Sequence, residues 1–137
     1  DLDAKEKIQL NKLLSLPNVK HLGFIPFNEF PSIVINWSIG LVAAKPDQEY
    51  ARYLNNNKQY QYLALGKPFV SYRLNANYEE FGDMVFIAEN PIDYIEKIEQ
   101  AILKSTDKNS IDTGLKVAER QSAGIRAKKF LSIIENL

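Results

Sequence analysis

The chain has 137 residues, 45% apolar and 25% charged, with 17 basic side chains balanced by 17 acidic ones. That is one domain's worth of foldable sequence, and its neutrality excludes a global electrostatic grip on nucleic acid or an anionic membrane. With no cysteine there is no disulfide framework, thiolate metal site or cysteine nucleophile, and a lone histidine, His21, confines all histidine chemistry to one residue.

Taken in chain order, residues 2–16 carry Ile8, Leu10, Leu13, Leu14 and Leu16 at near-helical spacing and stop at Pro17-Asn18, a helix followed by a turn. Alternation over residues 19–24 predicts a short strand with Val19, His21 and Gly23 on one face, where a structural or solvent-facing histidine outweighs a catalytic one. Asn28-Glu29-Phe30-Pro31 opens a short helix carrying Phe30, Ile33, Val34 and Trp37. The continuous apolar run of residues 39–43 has the character of a parallel strand buried on both faces, and it ends at Lys45-Pro46. Residues 47–56 are polar and irregular, and residues 57–65 form a compact helix closed by Gly66.

Residues 68–72 and 84–88 are predicted as third and fourth strands, joined by a helical segment around residues 77–81. Asn90-Pro91-Ile92-Asp93 then supplies a capping side chain, a proline for the first helical position and an acid for the first turn. The helix it starts places Ile95, Ile98 and Ile102 on one stripe. After a polar linker over residues 105–109, one last helix uses Leu115, Ala118, Ile125, Phe130, Ile133, Ile134 and Leu137 as its apolar positions. Strands alternating with helices of this length mean βαβ crossovers and a parallel sheet, an α/β layered fold of Rossmann-like type. Such folds begin with a central strand and a glycine-rich turn, whereas this chain begins with a helix. The first strand is therefore expected to lie upstream, with residues 1–137 the distal part of a domain in a longer protein.

The longest uncharged run, residues 30–44, has 15 positions, short of the roughly 20 that a membrane-spanning helix needs. The start, Asp1-Leu2-Asp3-Ala4-Lys5-Glu6-Lys7, lacks the basic-then-apolar pattern of a signal peptide, so a cytoplasmic protein is expected.

In open α/β sheets ligands bind beyond the carboxyl ends of the strands, where helix N-termini offer N–H groups and partial positive charge. Residues 44–66 have that layout. Lys58 falls in the first turn of its helix, where a cation opposes the dipole and an anion would relieve the opposition. Gln61, three residues on, shares its helical face and offers both a donor and an acceptor, as a ribose diol requires. On spacing alone, a solvated lysine and glutamine remain the commoner reading.

Asn57-Lys58 followed by Gln61-Tyr62-Leu63-Ala64-Leu65-Gly66-Lys67-Pro68-Phe69-Val70 resembles the donor-site helix and following strand of GT-B glycosyltransferases of group 1. Residues 18–26 resemble the strand that precedes it in that family, residues 39–46 its apolar strand ending in proline, and residues 118–126 its closing helix, which crosses back to the other domain. Where many members carry two glutamates eight positions apart, this chain has Tyr53 and Gln61. A glutamine can bond both ribose hydroxyls but carries no charge. Lysine followed three residues later by Gln-Tyr is also similar to the xanthan-type glucuronosyltransferase subgroup, which favours a UDP-sugar.

The resemblance implies the C-terminal, donor-binding half of a GT-B enzyme that transfers a sugar from a nucleotide diphosphate sugar to an acceptor hydroxyl in glycan or polysaccharide assembly. The nucleotide sugar is a substrate, with no cofactor and no metal. The implied donor ligands are Lys58, Gln61 and Asn57, with Pro46 and Arg52 on the loop beside them. An acceptor glycan or lipid-linked sugar, and any catalytic base, would belong to an N-terminal domain outside this chain, so the chain alone is not expected to turn over. A nonenzymatic Rossmann-like nucleotide-binding or protein-interaction module is the alternative.

Two further features are open. Tyr50, Tyr53, Tyr60, Tyr62 and Tyr72 crowd the donor segment, where packing is the commoner role and stacking on a base the rarer one. Residues 116–129 hold Lys116, Arg120, Arg126, Lys128 and Lys129 against Glu119 alone. This basic stretch is either a solvated helix face or a surface that meets anionic lipid, as peripheral membrane association, or the other domain.

Overall fold

The computed structural model describes residues 3–44, 57–73 and 81–136. The chain divides into two compact units, Asp1–Phe30 and Pro31–Leu137.

In the first unit, helix α1 (Ala4–Leu14) starts at a reciprocal cap: Asp3 accepts from the Glu6 N–H while the Glu6 carboxylate accepts from the Asp3 N–H. The helix is the one read from the sequence, yet it has no buried residue, and Ile8 and Leu13 are exposed. The strand expected at residues 19–24 does not form. Gly23 takes a φ of 69°, which ends extended geometry there, and Phe24 is exposed. A six-residue alternation cannot persist as a strand without a ladder to complete its hydrogen bonds, and the described sheet does not include this segment. His21 lies in this irregular, exposed stretch.

Helix α2 (Phe30–Val34) is followed by a parallel sheet of three strands in the order β1 (Gly40–Val42), β2 (Phe69–Tyr72), β3 (Val85–Ala88). Gly40 pairs with Phe69, which pairs in turn with Val85. The central strand is buried from Phe69 to Ser71. Outer strand β1 corrects the expectation of burial on both faces, because Leu41 is exposed between buried Gly40 and Val42.

Alternation along β2 sends successive side chains to opposite faces of the sheet. On one face Phe69 meets Tyr62 of helix α3 (Asn57–Ala64) and Phe81 of the 3₁₀ turn over residues 81–84. Of the helix expected around residues 77–81, only its last residue is described, and it belongs to that turn. On the other face Val70 clusters with Ala88, Tyr94 and Ala101, the last two from helix α4 (Pro91–Lys104). Helices thus cover both faces of the sheet, an α/β arrangement.

Helix α4 begins as its sequence requires: the Asn90 carboxamide oxygen accepts from the N–H groups of Ile92 and Asp93, with Pro91 at the start. Its buried stripe is rotated from the expected one. Tyr94 and Ala101 face the sheet with Ile98 beside them, and Ile95 and Ile102 point to solvent. The Tyr94 hydroxyl donates to the Val70 carbonyl and its ring lies 5.0 Å from that of Tyr72. That bond and ring contact select the register over burial of Ile95 and Ile102.

The single last helix expected from the sequence is two, α5 (Lys108–Arg120) and α6 (Ala123–Ile134). Ser122 breaks them apart at a ψ of 149°, a cap-like extended conformation to which serine is suited. The buried positions of α5 are Ser110, Gly114 and Val117, not Leu115, which is exposed. Gly114 explains the choice: a Cβ there would lie 2.9 Å from Met84 Cγ and 3.4 Å from Leu63 Cδ2, so the missing side chain lets α5 approach α3 and the 3₁₀ turn closely.

Candidate functional site

Helix α3 is the element on which the sequence argument rests. Its end is set by Gly66 at a φ of 66°, with the Gly66 N–H donating to the Leu63 carbonyl and the Lys67 N–H to that of Tyr62. This is the paired-carbonyl stop that glycine permits, and the Gly66 closure expected from the sequence is present.

The direction of α3 follows from Tyr62. Its ring lies against Gly40 and Phe69, the first residues of β1 and β2, and also 6.5 Å from the ring of Trp37. The C-terminal half of α3 therefore sits at the beginnings of the strands. The parallel pairing of β1 and β2 requires the chain between them to return to that end, so α3 runs back along the sheet with its first turn toward the carboxyl ends of the strands, the edge where α/β sheets bind ligands.

Asn57 and Lys58 are exposed in that first turn, which holds no acid, and Gln61 is half-buried one turn further along. Lys58 and Gln61, three residues apart, share one side of the helix. The structure thus brings together three of the five sequence-predicted donor residues on one short helix. Pro46 and Arg52, together with Tyr50 and Tyr53, lie outside the described residues.

Two residues at this location escaped the sequence reading. Arg73 is exposed immediately after β2, so it extends from the same sheet edge; a cation directly following an apolar strand was the signal. Gln59, between Lys58 and Tyr60, is wholly buried. Burial of a polar amide is costly without hydrogen bonds, so periodicity alone does not foretell it.

The N-terminus of α4, at the carboxyl end of β3, is already engaged. Asn90 caps two of its N–H groups, and the Asp93 carboxylate accepts from the Glu89 N–H. Its acids also disfavour an anion there. The first turn of α3, cationic and without an acid, is the better anion-binding position.

The tyrosines of the segment that are described behave as packing residues. Tyr60 stands edge-on to Phe81 at 5.5 Å, Tyr62 is buried between Trp37 and Phe69, and Tyr72 meets Tyr94. Burial pushes the Tyr62 hydroxyl above its ordinary 10.0. The folded state then holds its proton more tightly than the unfolded chain, so the associated stability is complete below pH 10.0 and declines as pH rises through the elevated folded value. Denaturant midpoints followed across that range are expected to fall more steeply for the parent protein than for Tyr62→Phe. Parallel curves would refute the assignment.

Away from α3, a concavity of about 500 Å³ is lined by Phe86, Gln100, Leu103, Lys104 and Asp107. Its charges are spent on one another. The Lys104 ammonium lies 3.1 Å from Asp107 and 3.8 Å from Asp83 and donates to Ser110, whose hydroxyl donates to Asp107. The Ser110 and Lys104 hydrogen bonds hold the Asp107 carboxyl below its ordinary range, and the bond to Asp107 raises Lys104. This network caps α5, with Asp107 accepting from the Asn109 N–H. Among the described residues no group of three His, Asp or Glu side chains is gathered for a metal ion.

No protein-family model, curated protein or solved structure matches the chain.

Proposed function

We propose that this chain is the donor-binding half of a GT-B-type glycosyltransferase, a Rossmann-like layered domain that holds a nucleotide diphosphate sugar, UDP-linked, for transfer to an acceptor hydroxyl. The observation that carries the reading is the orientation of α3. Running back along the sheet, it presents Lys58 and Gln61 on one side, with Lys58 in the turn directed toward the carboxyl edge, then closes at Gly66 and leads through Pro68 into the central strand.

The chemistry asked of these groups is electrostatic. As the bond between the anomeric carbon and the diphosphate oxygen breaks, negative charge grows on the leaving diphosphate. The Lys58 ammonium and the first N–H groups of α3 would stabilise that charge in a fixed position. The Gln61 carboxamide both donates and accepts, matching the two hydroxyls of a ribose. Asn57 lies beside them in the first turn, and Arg73 adds a second cation at the same edge. The acceptor and any base belong, in this reading, to a separate N-terminal domain.

Calorimetry with UDP and a UDP-sugar on the full-length enzyme tests the assignment. Lys58→Ala is expected to weaken binding roughly tenfold or more, the loss of one charge-assisted hydrogen bond. Gln61→Ala is expected to weaken it less, through the ribose. Unchanged affinity in both variants would remove the site. A thermal-shift panel of UDP, GDP, ADP and their sugars separates this reading from a nonenzymatic interaction module, since selective stabilisation follows only from binding to the native state.

A further inference from the structure

We draw no further inference here: the strongest candidate, the exposed apolar stripe of Phe130, Leu131 and Ile134 on helix α6, carries nothing because nothing in the structure shows what covers it.

Discussion

Replacing Phe69 by alanine is expected to cost the protein about 3–5 kcal/mol of folding stability, the range for a fully buried aromatic ring that leaves a cavity behind. Phe69 has no exposed surface, and its ring stands 6.4 Å from that of Tyr62 and 5.8 Å from that of Phe81. It is the first residue of the central strand, laddered to Gly40 on one side and Val85 on the other. Its removal therefore loosens α3, the 3₁₀ turn and the sheet at one point. Domains of this size are stable by only about 5–15 kcal/mol, so the loss takes a large part of the total. Equilibrium denaturation is expected to show a lower midpoint with an unchanged slope. A loss below about 1 kcal/mol would mean that the contacts of this ring are not maintained in solution, since such a core truncation cannot be that mild when the cavity persists.

The same ring shows what the sequence made legible. Residues 68–72 are mostly apolar, open at Pro68 and follow a compact helix that closes at Gly66, so strand, glycine closure and parallel crossover all followed from composition and period. Asn90 and Pro91 announced α4 in the same way, through side-chain chemistry local to the helix end. The misreadings arose where a choice depended on distant partners. Residues 19–24 alternate like a strand, but a strand exists only when another backbone pairs with it. Ile95 and Ile102 outrank Tyr94 and Ala101 in hydropathy, yet the tyrosine hydroxyl finds the Val70 carbonyl and turns the helix toward it. The break at Ser122 was hidden because apolar residues continue on both sides and serine is tolerated in a helix as well as at its cap.

The candidate site was legible to a similar depth. Lys58 and Gln61 share a face because three residues make nearly one helical turn, which needs no tertiary knowledge. That their helix runs against the strands depended on Tyr62 meeting Gly40 and Phe69, contacts between residues 22 and 7 positions apart in sequence. Arg73 was signalled by its place directly after an apolar strand and was passed over, whereas buried Gln59 had no signal, because a buried amide contradicts the usual pattern.

Gly40→Ala is expected to be the most damaging single-methyl change at the sheet, destabilising the protein by about 1–3 kcal/mol or more. A Cβ at Gly40 would fall 2.3 Å from Tyr62 Cδ2, 2.4 Å from Cε2 and 2.5 Å from Cγ, against a comfortable carbon separation of about 3.5–4.0 Å. The obstacle is a ring held between Trp37 and Phe69, so it cannot swing aside as a flexible side-chain end would. Relief must come from moving α3 off β1. The test is a double-mutant cycle: Tyr62→Ala removes the ring at its own cavity cost, and in that background Gly40→Ala is expected to become nearly neutral or mildly stabilising, because alanine restricts the unfolded chain by about 0.4–1 kcal/mol. Additive costs would show that the ring is not what excludes a side chain at Gly40. Because Tyr62 follows Gln61 directly, displacement of α3 by the added methyl also moves the residues proposed to hold the nucleotide. Gly40→Ala protein that remains folded is accordingly expected to lose UDP affinity with Lys58 and Gln61 still in place, a result that ties the close approach of helix and strand to the position of the site.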